Sequence, residues 1–309
     1  MMKRSVFLGW TMLVLLSGGM MLHGREARGD DAALEAKARA TLWQVFDTEK
    51  DWVRVHAAEA LIAAGEGAKV RTIFQRDLGT WEKTPARIGA YRVLATLAGT
   101  PEERAHYIAA VERVYLDPKN PDRPQAVETL GKLGCVLTGA TLEAVREQAR
   151  QAAPADTIMP WWALENSGDA AARGKLVAAL ASDGAMKQRA AYALRWLRCD
   201  DAGVRRALAA AAAAVKPGTL PYAFVLSAAL RTWPDAPEAP IWGKKLRAAL
   251  VEGDTVARFE AAQTLQYVLR PQDLQDVGPL LDGKEGDDRT AGALVILRVL
   301  NEKSTFNGM

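Results

Sequence analysis

The chain repeats itself with a period of about 34 residues, and that period constrains the fold more than any other feature of the sequence. Helix-like stretches align on one leucine, at Leu61, Leu94, Leu130, Leu164, Leu194, Leu230, Leu265 and Leu297, spaced 30 to 36 residues apart. Four residues before each anchor stand Ala57, Ala90, Ala126, Pro160, Ala190, Leu226, Ala261 and Ala293, six of them alanine. Seven before stand Arg54, Arg87, Arg123, Thr157, Lys187, Ala223, Arg258 and Thr290, five of them basic. Positions four and seven apart share one helix face, and an alanine above a leucine lets a neighbouring helix approach closely. The segments between the anchored stretches also read as helices. Thr100-Pro101-Glu102-Glu103 is a capping box with proline at the first helical position. Pro271 is expected to open a helix towards Leu280 and Leu281, and Asp201 to Val215 is rich in strong helix formers. No stretch sustains the period-two alternation of a strand. The expectation is an all-α chain of about 16 helices in about eight antiparallel pairs.

At this point the residues resemble a family. Asp51-Trp52-Val53-Arg54-Val55-His56-Ala57-Ala58-Glu59-Ala60-Leu61 resembles a HEAT repeat, as do the stretches from Lys187 to Leu194 and from Asp254 to Leu265. The family pattern places an acidic residue between its two helices, here Asp51, Asp183, Asp254 and Asp287, and a basic residue early in the second. The resemblance runs from about Ala32 to Asn301 and is poorest around Leu164 and Leu230, where the basic position is missing. It implies an α-α superhelix, an armadillo/HEAT-type solenoid forming a single unit over residues 30–309, since each repeat is buried only against its neighbours. Steps of about 8–10 Å between neighbouring helices give an open arc of roughly 60–70 Å. The same spacing separates Cys135 and Cys199, two repeats apart, by about 16–20 Å, beyond the roughly 7 Å limit of a disulfide. Two free, buried thiols are expected. The HEAT-like repeats of phycobilin lyases also suggest a chromophore lyase-like role, against which export argues.

Export is expected from the first 29 residues. Lys3 and Arg4 precede an apolar run from Val6 to Leu22, and Ala27-Arg28-Gly29 offers the small residues a signal peptidase reads. An uncleaved membrane anchor is the alternative, and the membrane is expected to be touched through this segment only. The segment holds four basic residues and one acidic, so the chain's 40 basic and 37 acidic residues fall to 36 of each beyond it. A balanced charge gives nucleic-acid binding no support. A hydrophobic content of 49% with 25% charged residues belongs to a folded chain and not to a disordered one.

Catalytic constellations are missing. Beyond the signal the serines are Ser167, Ser182, Ser227 and Ser304, none in a G-x-S-x-G setting. The histidines there are His56 and His106, and His56 with Glu59 three residues on reads as a polar pair on an exposed helix face. No phosphate-cradling loop or dinucleotide fingerprint appears. No catalytic residue, metal site or cofactor is assigned.

The basic column (Arg54, Arg87, Arg123, Lys187 and Arg258) is expected to be a structural ladder, pairing with acids and helix ends of adjacent repeats. The opposite face of the same helices would line the concave side. Two residues before the anchors stand Glu59, Arg92, Glu128, Trp162 and Tyr192, and five before stand His56 and Arg189 among others. Solvated faces are usually Lys and Glu without aromatics, so His56, Glu59, Arg92, Glu128, Trp162, Arg189 and Tyr192 are the candidate binding residues. Trp161 and Trp162 cannot both face the core of one helix, so one is expected to be packed and the other partly exposed. Aromatic faces with polar groups suit sugars, peptides and partner proteins alike. The first expectation is a non-catalytic scaffold for a protein partner. The alternative is a small-ligand or glycan groove, with or without enzymatic activity, which would concentrate these groups in one pocket where Arg92 and Glu128 converge.

Overall fold

The computed structural model describes residues 17–199 and 201–301, with side chains from residue 29 on. Lys3, Arg4 and most of the apolar run of the expected signal lie outside the described residues. No helix among the described residues is long and apolar enough to cross a membrane.

The described chain is all-helical. In chain order the helices are α1 (Ser17–Thr48), α2 (Asp51–Ala63), α3 (Gly67–Arg76), α4 (Leu78–Trp81), α5 (Arg87–Thr96) and α6 (Pro101–Leu116). Next come α7 (Arg123–Lys132), α8 (Gly139–Gln151), α9 (Ile158–Asn166), α10 (Ala170–Ala179) and α11 (Gly184–Leu197). The last are α12 (Ala202–Ala214), α13 (Tyr222–Thr232), α14 (Ala239–Glu252), α15 (Thr255–Leu265) and α16 (Gly286–Asn301). Several starts follow from side-chain caps. Thr100 accepts from the Glu103 amide at 3.2 Å, and the Glu103 carboxylate reaches back to the Gly99 amide at 2.7 Å. Asp201 and Asp254 cap α12 and α15 with carboxylates that accept from amides of the first turn.

The helix expected after Pro271 is replaced by two short 3-10 turns, Pro271–Asp276 and Gly278–Asp282. Gly278-Pro279 is the reason. A proline in mid-helix has no N–H to give and its ring clashes with the preceding turn, so the segment covers its part of the core in two pieces.

The anchor leucines fall on α2, α5, α7, α9, α11, α13, α15 and α16. Each is buried, and so is each residue four before it. These eight helices pack in sequence, each on the next, and α16 packs back on α2 and on α1. The remaining helices cover them: α1 lies on α2, α3 on α2 and α5, α4 on α5, α6 on α5 and α7, α8 on α9, α10 on α11, α12 on α13 and α14 on α15. The core sits between the two layers. Close approach is visible at Gly131 of α7, where a Cβ would stand 2.7 Å from the indole of Trp162 on α9.

The ends of the chain therefore meet, and the open arc expected from the repeat is replaced by a closed circuit. Side chains clasp the seam. Arg289 of α16 donates to Glu49 at 2.8 Å, Lys37 of α1 to Asp282 at 2.7 Å, and Arg298 to the Ala63 carbonyl at 3.3 Å. Cys135 and Cys199 are both free; Cys135 is buried, whereas Cys199, expected to be buried too, is half-exposed just past the end of α11.

Candidate functional site

A residue two positions before or after an anchor lies about 200° round the helix from it, so on the inner helices it faces away from the covering layer. The circuit brings these faces together around a cavity of about 610 Å³. Its walls come from α2, α5, α7, α11, α13, α15 and α16.

The polar wall is a set of charge pairs. Arg92 donates from Nε to Glu59 Oε1 at 2.6 Å and from Nη1 to Thr129 Oγ1 at 3.1 Å. Tyr192 donates to Glu128 Oε1 at 2.8 Å, and Lys132 Nζ lies 3.0 Å from the same oxygen. Arg195 grips Glu260 with Nε at 2.7 Å and Nη2 at 3.2 Å. His56 Nδ1 lies 2.9 Å from Asp287 Oδ1, with its ring tilted against Phe259 at 4.6 Å. Arg92, Arg195 and Glu260 are almost wholly buried, at 4%, 7% and 3% exposure. Burying ions is costly unless each is paired; Arg195 Nε and Glu260 Oε1 meet as an ion pair without a hydrogen bond, and two further buried atoms of wall residues, Arg92 Nη2 and Gln266 Oε1, have no hydrogen-bond partner.

These charges perturb one another. Burial opposes the Glu59 carboxylate, yet the Arg92 and Lys132 cations outweigh it and hold its pKa down to about 2. Burial also opposes Glu128, and Lys132 and Arg92 again win, so its pKa is lowered. Lys132 is pushed down by burial and by Arg92, against the pull of Glu128 and Glu59. Tyr192 is raised by burial and by the Glu128 charge, which makes its hydroxyl a lasting donor. Glu260 goes the other way: burial lifts it to about 6 in spite of Arg195.

Aromatic rings form the other wall. Trp196 and Tyr267 line the cavity and are 36% and 37% exposed. Lys132 and Arg195 lie over the Trp196 ring at 5.7 and 5.3 Å.

Of the residues singled out in the sequence, His56, Glu59, Arg92, Glu128 and Tyr192 line this one cavity. Two do not. Trp162 is the packed member of its pair, 1% exposed, lying under Tyr192 at 5.8 Å edge to face. It closes the gap opposite Gly131 instead of reaching the cavity. Arg189 donates to the Ala155 carbonyl at 2.8 Å and Asp156 at 3.1 Å, in an open groove beside the turns before α7 and α9. Its position near the start of α11 faces the 3-10 turn at Pro154–Asp156 and not the interior. His56 is also no exposed partner of Glu59; it is half-buried and turns across the seam to Asp287.

Lys132, Trp196 and Tyr267 were missed. All three stand two residues after an anchor, one turn beyond the column of Glu128, Tyr192 and Gln263. Extending that column past the leucine would have found them. Asp287 was noted for its place between helices, and Arg195 was hidden by standing next to an anchor.

The basic column makes contacts between repeats at three of its five positions. Arg87 donates to Asp122 at 2.8 Å and Asn120 at 2.9 Å, and Arg258 to Asp288 at 2.6 Å. Arg54 lies 3.8 Å from Asp77 and over the rings of Phe46 and Trp81. Arg123 donates to the carbonyl of Tyr115, on the preceding helix of its own pair, at 2.9 Å. Lys187 makes no ion pair among the described residues. No group of three His, Cys, Asp or Glu side chains among the described residues is placed to hold a metal ion.

Comparison of the chain with family models, with curated proteins and with solved structures finds no match in any of the three.

Proposed function

We propose that this protein binds a small polar ligand, by the chemistry of its walls a saccharide, in the cavity enclosed by its inner helices. We read the chain as a HEAT-type α-solenoid of eight helix pairs whose ends have met, exported by its N-terminal segment. The observation that carries the binding reading is convergence. Arg92 and Glu128 face one space, together with Glu59, Lys132 and Tyr192, and two half-exposed aromatic rings stand beside them. A few placed polar groups among aromatic walls are the usual make-up of a ligand site. A sugar offers a C–H face to Trp196 or Tyr267 and hydroxyls that donate to carboxylates and accept from guanidinium and ammonium groups.

A protein scaffold would be expected to spread such groups along an open concave surface, and the packing of α16 on α1 and α2 leaves less of one. A protein partner at the cavity mouth is the second reading, favoured by the exposure of Val256 and Tyr267.

The test is a titration of mono- and disaccharides followed by tryptophan emission, with native mass spectrometry of the protein from its source. A saturable change is expected, lost in Trp196→Ala and weakened about tenfold or more in Glu128→Gln. A protein retained in stoichiometric amount, with no sugar or other small molecule bound, would replace this reading by the scaffold.

A further inference from the structure

Four arginines gather beside one edge of the cavity. Arg195 and Arg198 come from the end of α11, Arg231 from the last turn of α13, and Arg298 from that of α16. The Arg231 guanidinium stacks on the ring of Tyr267, 3.6 Å from its centroid, and Arg298 lies 5.4 Å from the same centroid. Tyr267 and Arg195 both line the cavity. Arg195 is committed to Glu260, and Arg298 donates to the Ala63 carbonyl. Arg231 has no carboxylate partner among the described residues. The charged groups that bear on it are Arg198, Arg195 and Arg298, and burial together with these three cations lowers its pKa, an uncommon direction for an arginine.

A basic residue in the last turn of a helix is ordinary, because it complements the helix dipole. The dipole explains one cation at each helix end. It does not explain setting two of these cations on one tyrosine, with those at the end of α11 close enough to repel Arg231. Arg198 adds an independent sign. It caps α11 in the left-handed conformation, φ 48° and ψ 41°, where glycine is the usual residue. The chain holds an exposed arginine there at a conformational cost, a pattern found at functional positions.

We infer that Arg231 and Arg198 receive an oxyanion carried by the ligand of the cavity, so that the ligand is an acidic saccharide bearing a carboxylate, sulfate or phosphate. The inference rests on the saccharide reading of the cavity. The planar guanidinium forks would grip the oxyanion with paired hydrogen bonds, while the sugar ring lies against Tyr267 and Trp196. The bound anion also relieves the repulsion among the arginines.

The test compares glucuronate, glucose and inorganic sulfate by calorimetry at constant ionic strength, on wild type, Arg231→Gln and Arg198→Gln. Glucuronate is expected to bind about tenfold or more tighter than glucose. Arg231→Gln should remove most of that advantage and leave glucose unchanged, with Arg198→Gln intermediate. In sulfate-free buffer Arg231→Gln should melt no lower than wild type, because it removes a repelled charge. Glucuronate binding no better than glucose would overturn the inference and leave the saccharide reading standing. Sulfate binding that Arg231→Gln abolishes, with neither sugar bound, would keep the anion site and overturn the saccharide. A lowered melting temperature in Arg231→Gln with unchanged glucuronate affinity would make Arg231 a structural prop and end the proposal, as would no binding of any of the three.

Discussion

Glu260 offers a quantitative test of the cavity's electrostatics. Its carboxyl is 3% exposed and titrates at about 6 in the folded protein, against 4.5 for an ordinary glutamate, because burial outweighs the pull of Arg195. A carboxyl whose folded pKa is raised binds its proton more tightly in the native state than in the unfolded one. Its favourable contribution is complete below pH 4.5 and is lost as the pH rises through 6. A displacement from 4.5 to about 6 corresponds to about 2 kcal/mol, and the burial leaves no screening by water to discount. Glu260→Gln cannot titrate. The assay is urea denaturation of both proteins at a series of pH values from 4 to 7.5. Relative to the variant, wild type should lose about 2 kcal/mol between pH 4.5 and pH 7, or about 3 °C in melting temperature for a chain of this size. Neutral amide and buried Arg195 are a poor match, so the variant starts from a lower stability; the slope difference is the signal. Parallel pH profiles would refute the reasoning, and a wild type that gained on the variant as pH rose would mean that Arg195 dominates over burial.

Three further outcomes are expected. Gly131→Ala should cost about 1–3 kcal/mol in denaturant titration and disturb the near-ultraviolet signal of Trp162, since its Cβ would stand 2.7 Å from a buried indole. Arg258→Gln should destabilise by about 2 kcal/mol or more by leaving Asp288, 4% exposed, unpaired, whereas Lys187→Gln should stay within about 0.5 kcal/mol. Cysteines at Val53 and Gly286 should form a disulfide on mild oxidation and tie the first inner helix to the last. A Cβ at residue 286 would lie 2.6 Å from a Val53 methyl, close enough for bridging with slight adjustment; failure to cross-link would mean that the ends do not meet.

The layer to which each helix belongs was legible in the sequence, because burial of Leu and Ala at fixed spacing is local information. So was much of the cavity wall: His56, Glu59, Arg92, Glu128 and Tyr192 were found by counting from the anchors. The failures share a cause. Trp162 and Arg189 carry the residue types of a binding face, but what they meet depends on the neighbouring repeat: Gly131 leaves a slot that an indole fills, and the Pro154–Asp156 turn offers a carbonyl and a carboxylate to a guanidinium. Closure was likewise invisible, since curvature accumulates from small rotations per repeat that no residue pattern spells out. The Gly278-Pro279 pair, by contrast, is a break that the sequence itself displays.

Closure and cavity follow from one geometric fact. Tyr192 bonds to Glu128 and Arg195 to Glu260, partners separated by 64 and 65 residues and so by two repeats. In a flat layer with helices about 9 Å apart, backbones two steps apart stand about 18 Å from each other, too far for these side chains. Eight axes set about 9 Å apart on a circle lie about 12 Å from its centre, and their inward-facing Cα atoms about 9.5 Å. Two steps on such a circle separate those Cα atoms by about 13 Å, within the combined reach of a tyrosine and a glutamate. The same circle leaves an inner radius of about 7 Å once half a helix diameter is subtracted. A ring of six would leave about 4 Å by the same reckoning, which side chains fill completely. The number of inner helices thus sets both whether the ends can meet and whether a cavity is left between them. The long charged side chains of the inward columns decide how much of that room is taken.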